Sequence, residues 1–215
     1  MSNEVVVVVA GGHPPDPEAA LAVPLGARVI AADSGLEHAL ALGLEVEIAV
    51  GDFDSASPEA VARAEAGGTR IDRHPTEKDA TDLELALDVA VSFRPQRILV
   101  LAGDGGRLDH LLAMLLLLGS SRYEAVEIDA FVGPARAHVV RRERSIEGEV
   151  GELMSLLALH GPAAGVRTDG LIFPLRGETL EAGSSRGVSN VFAGRHARVS
   201  VERGVLIAIR PGSAK

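Results

Sequence analysis

Ile48-Ala49-Val50-Gly51-Asp52-Phe53-Asp54-Ser55 runs from three apolar residues into a glycine and two acids spaced two apart. The apolar half reads as a buried strand, and the rest as the loop at its carboxyl end. Open α/β sheets bind ligands at that edge. Residues two apart in an extended segment point the same way, so Asp52 and Asp54 present both carboxylates to one place. Downstream, Lys78-Asp79-Ala80-Thr81-Asp82 answers them. On the first turn of a helix residues three apart share a face, which lets Asp79 and Asp82 converge. Four acids in one cleft require a counter-charge: each like-charge contact near 4 Å costs roughly 4 kcal/mol at an effective dielectric of about 20. Hard oxygen ligands on a partly open site suit magnesium carrying a phosphate substrate.

Working outward, residues 5–10 form a continuous β-branched run ending in Gly11-Gly12, as a central parallel strand covered on both faces requires. Further strands are expected at 28–32, 48–50, 69–73, 98–101 and 127–132. Between them lie helical patterns starting at Asp16-Pro17-Glu18, at the capping-box spacing Ser34-Gly35-Leu36-Glu37, at Ser57-Pro58, near Thr81 and at Asp109. From about residue 137 the alternation stops. Short strand-like runs at 153–158, 165–168, 196–202 and 205–209 follow, separated by glycine-rich turns. The fold class expected is α/β: an N-terminal, mostly parallel sheet with flanking helices in residues 1–135, and a smaller C-terminal all-β domain in 136–215, with the change near Gly133-Pro134.

A chain of 215 residues with 47% hydrophobic content can bury a core without staples. The lack of cysteine excludes disulfides and thiolate chemistry. A net charge of −9 argues against nucleic acid as the main partner. The apolar run at 5–10 is too short for a signal core and 111–118 too short for a bilayer, so no membrane association and a cytoplasmic location are expected. Of 21 basic residues only Lys78 and Lys215 are lysine. A compact ammonium kept beside Asp79 suggests a point-charge role there, with chance use as the alternative.

Asp33, Asp52, Asp54, Asp79, Asp82, Asp104 and Asp109 all follow expected strands or open the next helix, which sets them on one sheet edge. Singly, each is equally a helix cap or dipole partner; Thr81-Asp82-Leu83-Glu84 reads as a capping box, and Asp104 between glycines as a turn residue. The run Gly103-Asp104-Gly105-Gly106 suits a loop whose N–H groups meet phosphate, with Arg107 as a planar fork and Asp109 and His110 at the helix start. Ser189-Asn190 follows a flexible turn at Gly187 and is either a recognition pair or plain surface.

Taken together, Ala32-Asp33-Ser34-Gly35, Gly51-Asp52-Phe53-Asp54-Ser55, Lys78-Asp79-Ala80-Thr81-Asp82-Leu83-Glu84, Gly105-Gly106-Arg107-Leu108-Asp109-His110, Ser155-Leu156 and Ser189-Asn190 resemble, in order and over nearly the whole chain, thiamine pyrophosphokinase. The resemblance implies an α/β nucleotide-binding domain, a β-sandwich domain and a homodimer. It also implies transfer of a pyrophosphoryl group from ATP to thiamine with Mg²⁺. By the same resemblance Asp52, Asp54 and Asp82 hold the metal and position the triphosphate. Asp33, Asp79, Asp109 and His110 assist, and Lys78 and Arg107 meet phosphates. Ser189 and Asn190 would recognise the aminopyrimidine of thiamine across the dimer interface. Some relatives place a tryptophan beside thiamine; this chain has none, which leaves Phe173 or Phe192 for a ring contact.

Two other functions fit parts of the pattern. Asp52-Phe53-Asp54 after an apolar strand also resembles the acid pair of haloacid-dehalogenase-type phosphatases, with Lys78-Asp79 imitating a later motif. A non-catalytic nucleotide-binding sensor, with the β domain as its partner-binding module, is the other.

Overall fold

Val6 to Val9 are wholly buried, because β1 (Val5–Val9) lies inside a parallel sheet and carries side chains that tolerate burial on both faces. The computed structural model describes residues 5–212. β1 pairs in parallel with β2 (Arg28–Ala32) on one side and β5 (Arg97–Ala102) on the other. β3 (Ile48–Gly51) continues from β2, β4 (Arg70–Arg73) from β3, and β6 (Glu127–Val132) from β5. The order is therefore β4-β3-β2-β1-β5-β6, all parallel. Strand order reverses between β1 and β5, the position where such sheets open a crevice at their carboxyl ends.

The helices cross over as short, capped segments. α1 (Gly35–Ala41) stops where Gly43 takes a φ of 73°. α2 (Pro58–Ala66) starts with the Ser57 hydroxyl accepting from the Ala60 N–H at 3.2 Å and a proline in its first turn. α3 (Asp82–Ser92) packs on β1, β2 and β3. The segment opened by Asp16-Pro17 is a 3₁₀ turn, Pro17–Ala22. Leu36, Ala39 and Leu101 share a buried core with Val7, Val9 and Phe53; a fully buried leucine of this kind contributes about 2 kcal/mol.

The described residues divide into two compact units. The first holds residues 5–114 plus Ala125–Gly133; the second holds Leu115–Glu124 and residues 134–212. α4 (Leu108–Leu118) is the apolar helix between β5 and β6 in sequence.

The second unit is all β after residue 134. It comprises β7 (Ala135–Val140), β8 (Glu143–Glu147), β9 (Leu153–Asp169), β10 (Arg176–Leu180), β11 (Asn190–Val191), β12 (His196–Ser200) and β13 (Arg203–Arg210). The runs at 153–158 and 165–168, expected as separate strands, are one 17-residue strand. Its first half pairs with β13, which also pairs with β7; its second half pairs with β12, which also pairs with β8. Between the halves His160 and Gly161 take φ of 58° and 138°, so one strand bends and serves two sheets, as corners of β-sandwiches do. Four strands, β7, β8, β10 and β11, were not expected from sequence. Their faces are mixed or short, as in the exposed, charged Arg176–Leu180. Met154, Leu156, Val166, Phe192 and Leu206 form the core. Among the described residues no helix is long and apolar enough to cross a membrane.

Candidate active site

Asp33 caps β2 with a φ of 49°, and its N–H donates to the Val50 carbonyl of β3 at 2.9 Å. Asp tolerates that left-handed backbone better than most residues. β3 ends on Gly51, where a Cβ would be tight, 3.1 Å from Asp82 Oδ1 and 3.2 Å from Asp33 Cα, and strained at a φ of 154°. Phe53 then turns left-handed, φ 60°, and sends its ring into the core, 7% exposed, under the Arg73 guanidinium. Asp52 and Asp54 do reach one place, but the strand alternation expected from sequence is not the means. The left-handed turn and buried ring of Phe53 fix the loop that carries both acids. One oxygen from each of Asp33, Asp52 and Asp54 lies within 4.8 Å of the others. The Asp54 N–H donates to Asp52 Oδ1 at 3.2 Å, and the Ser55 hydroxyl to Asp54 Oδ1 at 3.0 Å.

Lys78 and Asp82 close this group from the next crossover. Lys78 Nζ donates to Asp52 Oδ2 at 3.0 Å and to the Pro75 carbonyl at 3.1 Å, and stands 3.2 Å from Asp82 Oδ1. The side chains are 14%, 10% and 24% exposed for Lys78, Asp52 and Asp82, so water screens them only partly. Thr81 caps α3, accepting from the Glu84 N–H at 3.2 Å. Capping and ligand roles are thus divided between neighbours, Thr81 taking the first and Asp82 facing the ammonium. Asp79 precedes that cap and is exposed. The shared helical face invoked for Asp79 and Asp82 does not form, because the helix begins at Asp82.

Electrostatics follow from this placement. Burial raises the Asp33 pKa, Ser34's backbone hydrogen bond works against it, and the carboxylates of Asp82, Asp54 and Asp52 add to the rise. Asp52 is lowered, chiefly by the Lys78 hydrogen bond. For Lys78, burial alone would favour the neutral amine, but Asp52 and Asp82 outweigh it and raise the pKa. Asp33 Oδ1 and Asp82 Oδ1 are buried without a hydrogen-bond partner. Orphan carboxylate oxygens beside further acids fit a bound cation. Ligand oxygens around a magnesium ion at about 2.1 Å lie about 3 to about 4.2 Å apart, close to the spacing of this triad. The donor set is all hard oxygen and suits that ion.

The neighbouring loops frame the acids. The capping box expected at Ser34 and Glu37 is absent: the Ser34 hydroxyl accepts from the Gly12 N–H at 3.2 Å, and Glu37 accepts from the Ser57 N–H at 3.1 Å. Both side chains tie the loops after β1, β2 and β3 together instead. At the switch between β1 and β5, Gly103 and Gly105 lie against His13, where added Cβ atoms would stand 2.4 Å from its carbonyl and 2.9 Å from its ring. The role of His13, Ser34 and Glu37 was missed from sequence, although Gly11-Gly12 after the first strand marked the loop. Asp104 presses on Gly133, whose added Cβ would stand 2.4 Å from its carboxyl carbon. Arg107 grips Asp109 through Nε–Oδ1 at 3.2 Å and Nη2–Oδ2 at 2.6 Å, which holds the Asp109 carboxyl at about 2. Both side chains and His110 are exposed at the start of α4. The structure therefore gathers Asp33, Asp52, Asp54, Lys78 and Asp82, while Arg107, Asp109 and His110 form an exposed group of their own.

In the second unit Ser189 is exposed with φ 60°, and its N–H donates to the Ser155 hydroxyl at 3.0 Å. Asn190 is 4% exposed and its amide is already engaged. Oδ1 accepts from the Phe173 and Val191 N–H groups at 3.1 and 2.9 Å, and Nδ2 donates to the Phe173 carbonyl at 2.7 Å. Asn190 thus braces Phe173, which is 63% exposed, whereas Phe192 is wholly buried over Gly148. Of the two phenylalanines only Phe173 offers a ring to solvent. A cavity of about 440 Å³ in this unit is lined by Arg141, Leu159, His160 and Pro162 among others. Its polar groups serve the end of α4: Arg141 donates to the Ser120 carbonyl at 2.7 Å, and His160 Nε2 lies 2.8 Å from the Leu116 carbonyl.

Comparison with known proteins adds a family. Residues 26–129 match the model of "Thiamin pyrophosphokinase, catalytic domain", and residues 137–206 that of "Thiamin pyrophosphokinase, vitamin B1 binding domain". The thiamine pyrophosphokinase of Bacillus subtilis (strain 168) is 29% identical over 187 residues, 84% of this chain and 86% of its own. Its crystal structure aligns with a TM-score of 0.86 at 27% identity, covering 98% of this chain and all of that one. A thiamin pyrophosphokinase family protein from Enterococcus faecalis aligns with a TM-score of 0.82 at 27% identity, covering 99% and 100%.

Proposed function

Because this chain belongs to the thiamine pyrophosphokinase family, we propose that its acid cluster is the centre at which ATP gives up a pyrophosphoryl group to the hydroxyl of thiamine. The observation that carries the reading is the meeting of Asp33, Asp52 and Asp54 within 4.8 Å, beside a Lys78 already held by Asp52 and Asp82. Neither a haloacid-dehalogenase-like phosphatase nor a nucleotide sensor is favoured by the family to which the chain belongs.

Asp33, Asp52, Asp54 and Asp82 would hold Mg²⁺, which when bound supplies charge neutralisation to the triphosphate. The thiamine oxygen attacks the β-phosphorus, the bond from that phosphorus to the α,β-bridging oxygen breaks, and AMP leaves. The hydroxyl proton passes to a nearby carboxylate or to solvent. Lys78 and Arg107 meet phosphate oxygens, with Asp79, Asp109 and His110 assisting; positioning supplies most of the acceleration. In the first unit the chain binds ATP, and in the second it recognises thiamine through Ser189 and through Phe173, which Asn190 holds in place. The same reading makes the protein a cytoplasmic homodimer whose sites draw on both subunits.

Incubation with ATP, MgCl₂ and thiamine tests it, with products resolved by chromatography. AMP and thiamine diphosphate in equal amounts are expected. Free phosphate without thiamine diphosphate, or no turnover by folded protein, would overturn it.

A further inference from the structure

Lys78 is placed to bind phosphate, yet its ammonium is already turned toward two acids. Nζ donates to Asp52 Oδ2 at 3.0 Å and to the Pro75 carbonyl at 3.1 Å, and forms an ion pair with Asp82 Oδ1 at 3.2 Å. Two of its three donors are therefore engaged, and its charge is shared by two carboxylates. To give a phosphate its full charge it must first leave them. Asp52 and Asp82 are the carboxylates assigned above to a divalent cation. Among the described residues no other cation pairs with these two acids.

We propose that Lys78 is a tethered counter-ion which a divalent cation displaces from Asp52 and Asp82, so that metal loading is the event that presents the ammonium to the triphosphate. The inference rests on the reading of the acid cluster as a cation site. Its chemistry accounts for the residue type. A lysine is a compact point charge on a flexible stem and can swing about its backbone anchor while Pro75 keeps one hydrogen bond. A planar guanidinium holds its donors in a rigid fork and does not act as a compact point charge between two carboxylates. The device also gives order: before the cation arrives Lys78 offsets the charge of Asp52 and Asp82, and afterwards the displaced charge is available to the incoming anion.

The chain has only two lysines, Lys78 and Lys215, which makes the test direct. Lys215 lies outside the described residues and serves as the internal reference. Wild-type protein is treated briefly with an amine-acylating reagent at rising MgCl₂, without nucleotide, and modification at each lysine is read by peptide mass spectrometry. Acylation of Lys78 relative to Lys215 should rise severalfold as the cation binds. In parallel, Mn²⁺ affinity is measured by titration calorimetry. Lys78→Met, checked for folding by circular dichroism, should bind Mn²⁺ about tenfold tighter than wild type, about 1.4 kcal/mol. Cation binding with unchanged Lys78 reactivity would overturn the tether and leave the cation site standing. Failure of both wild type and variant to bind Mg²⁺ or Mn²⁺ would overturn the cation site itself. The wild-type arm needs no variant, so a misfolded Lys78→Met does not protect the proposal.

Discussion

Replacing Asp33 with asparagine should make the cation-free protein more stable while impairing its chemistry. Asp33 has a buried oxygen without a partner and sits within 4.8 Å of acids 52 and 54. At that distance a like-charge pair costs between about 1 kcal/mol at the dielectric of water and about 3.5 kcal/mol at an effective value of 20. Burial is the largest cost to the Asp33 carboxylate, and Asp82 and Asp54 add to it more than Asp52 does, so a gain of about 2 kcal/mol is expected. Asparagine accepts the left-handed backbone at φ 49° as aspartate does, and its amide can donate to either neighbour. For a chain of this size the gain corresponds to a rise in Tm of roughly 4 to 8 °C. The pH dependence has a definite sign. A carboxyl whose folded pKa is raised destabilises the fold only once ionised, so the penalty is absent below the unfolded value of about 3.9 and grows as pH rises toward the folded one. The advantage of Asp33→Asn should therefore be full at pH 7 and vanish below about pH 4, and added Mg²⁺ should narrow it by stabilising the wild type. Calorimetric melting of both proteins from pH 3.5 to 8, with and without MgCl₂, decides the matter. A variant less stable than wild type at pH 7 in chelator, or a gain indifferent to pH, would refute the electrostatic account.

Asp54→Asn should lower kcat by about a hundredfold or more, the usual loss for a transition-state electrostatic contact, with the circular dichroism spectrum unchanged; near-normal turnover would remove Asp54 from the centre. Arg210 grips Glu152 through two hydrogen bonds of 2.8 Å. Although burial alone would raise the Glu152 pKa, this grip lowers it, so Glu152→Gln should cost about 2 kcal/mol at pH 7. That difference should close as pH falls below about 4, because a lowered carboxyl pKa stabilises only while ionised; chemical denaturation at pH 7 and pH 3.5 reads both. Asn190→Ala should raise the KM for thiamine by unseating Phe173 while leaving the KM for ATP unchanged. Assayed at thiamine far below that raised KM, where each variant alone is nearly inactive, co-refolding it with Asp54→Asn should restore about a quarter of wild-type activity if sites are shared in a two-fold dimer, whereas activity no greater than the average of the separate mutants would mean that each subunit completes its own site.

Much of the first unit is legible in its sequence because most of its parallel strands, β1, β2, β3 and β5, are built on apolar runs that end at or next to a glycine or an acid. Local pattern and tertiary role then coincide at 5–10, 28–32 and 48–50. Ser34 and Glu37 show where local reading fails. Their spacing is that of a capping box, but longer-range partners, the Gly12 and Ser57 N–H groups, win both side chains. Phe53 gives a correct outcome by an unforeseen route, since no periodicity announces a left-handed phenylalanine that docks in the core. Asn190 is the reverse case. Its position beside Ser189 looks like a surface recognition pair, and only the fold reveals that Phe173, in the connection between β9 and β10 and remote in sequence, claims its amide. The strands of the second unit were harder because charged, half-exposed segments such as Glu143–Glu147 and Arg176–Leu180 carry little alternation to read.

The bend of β9 at His160-Gly161 has a bearing on how the second unit comes apart. One continuous strand supplies hydrogen bonds to β13 with its first half and to β12 with its second, so neither sheet can open without loosening the strand that holds the other. Amide protons on both sides of the bend should then exchange through the same opening event, with one shared protection energy. A unit built this way has no separable halves. A lesion in either sheet reaches the Ser189–Asn190 turn, because Asn190 pairs with Met154 near the start of the same strand.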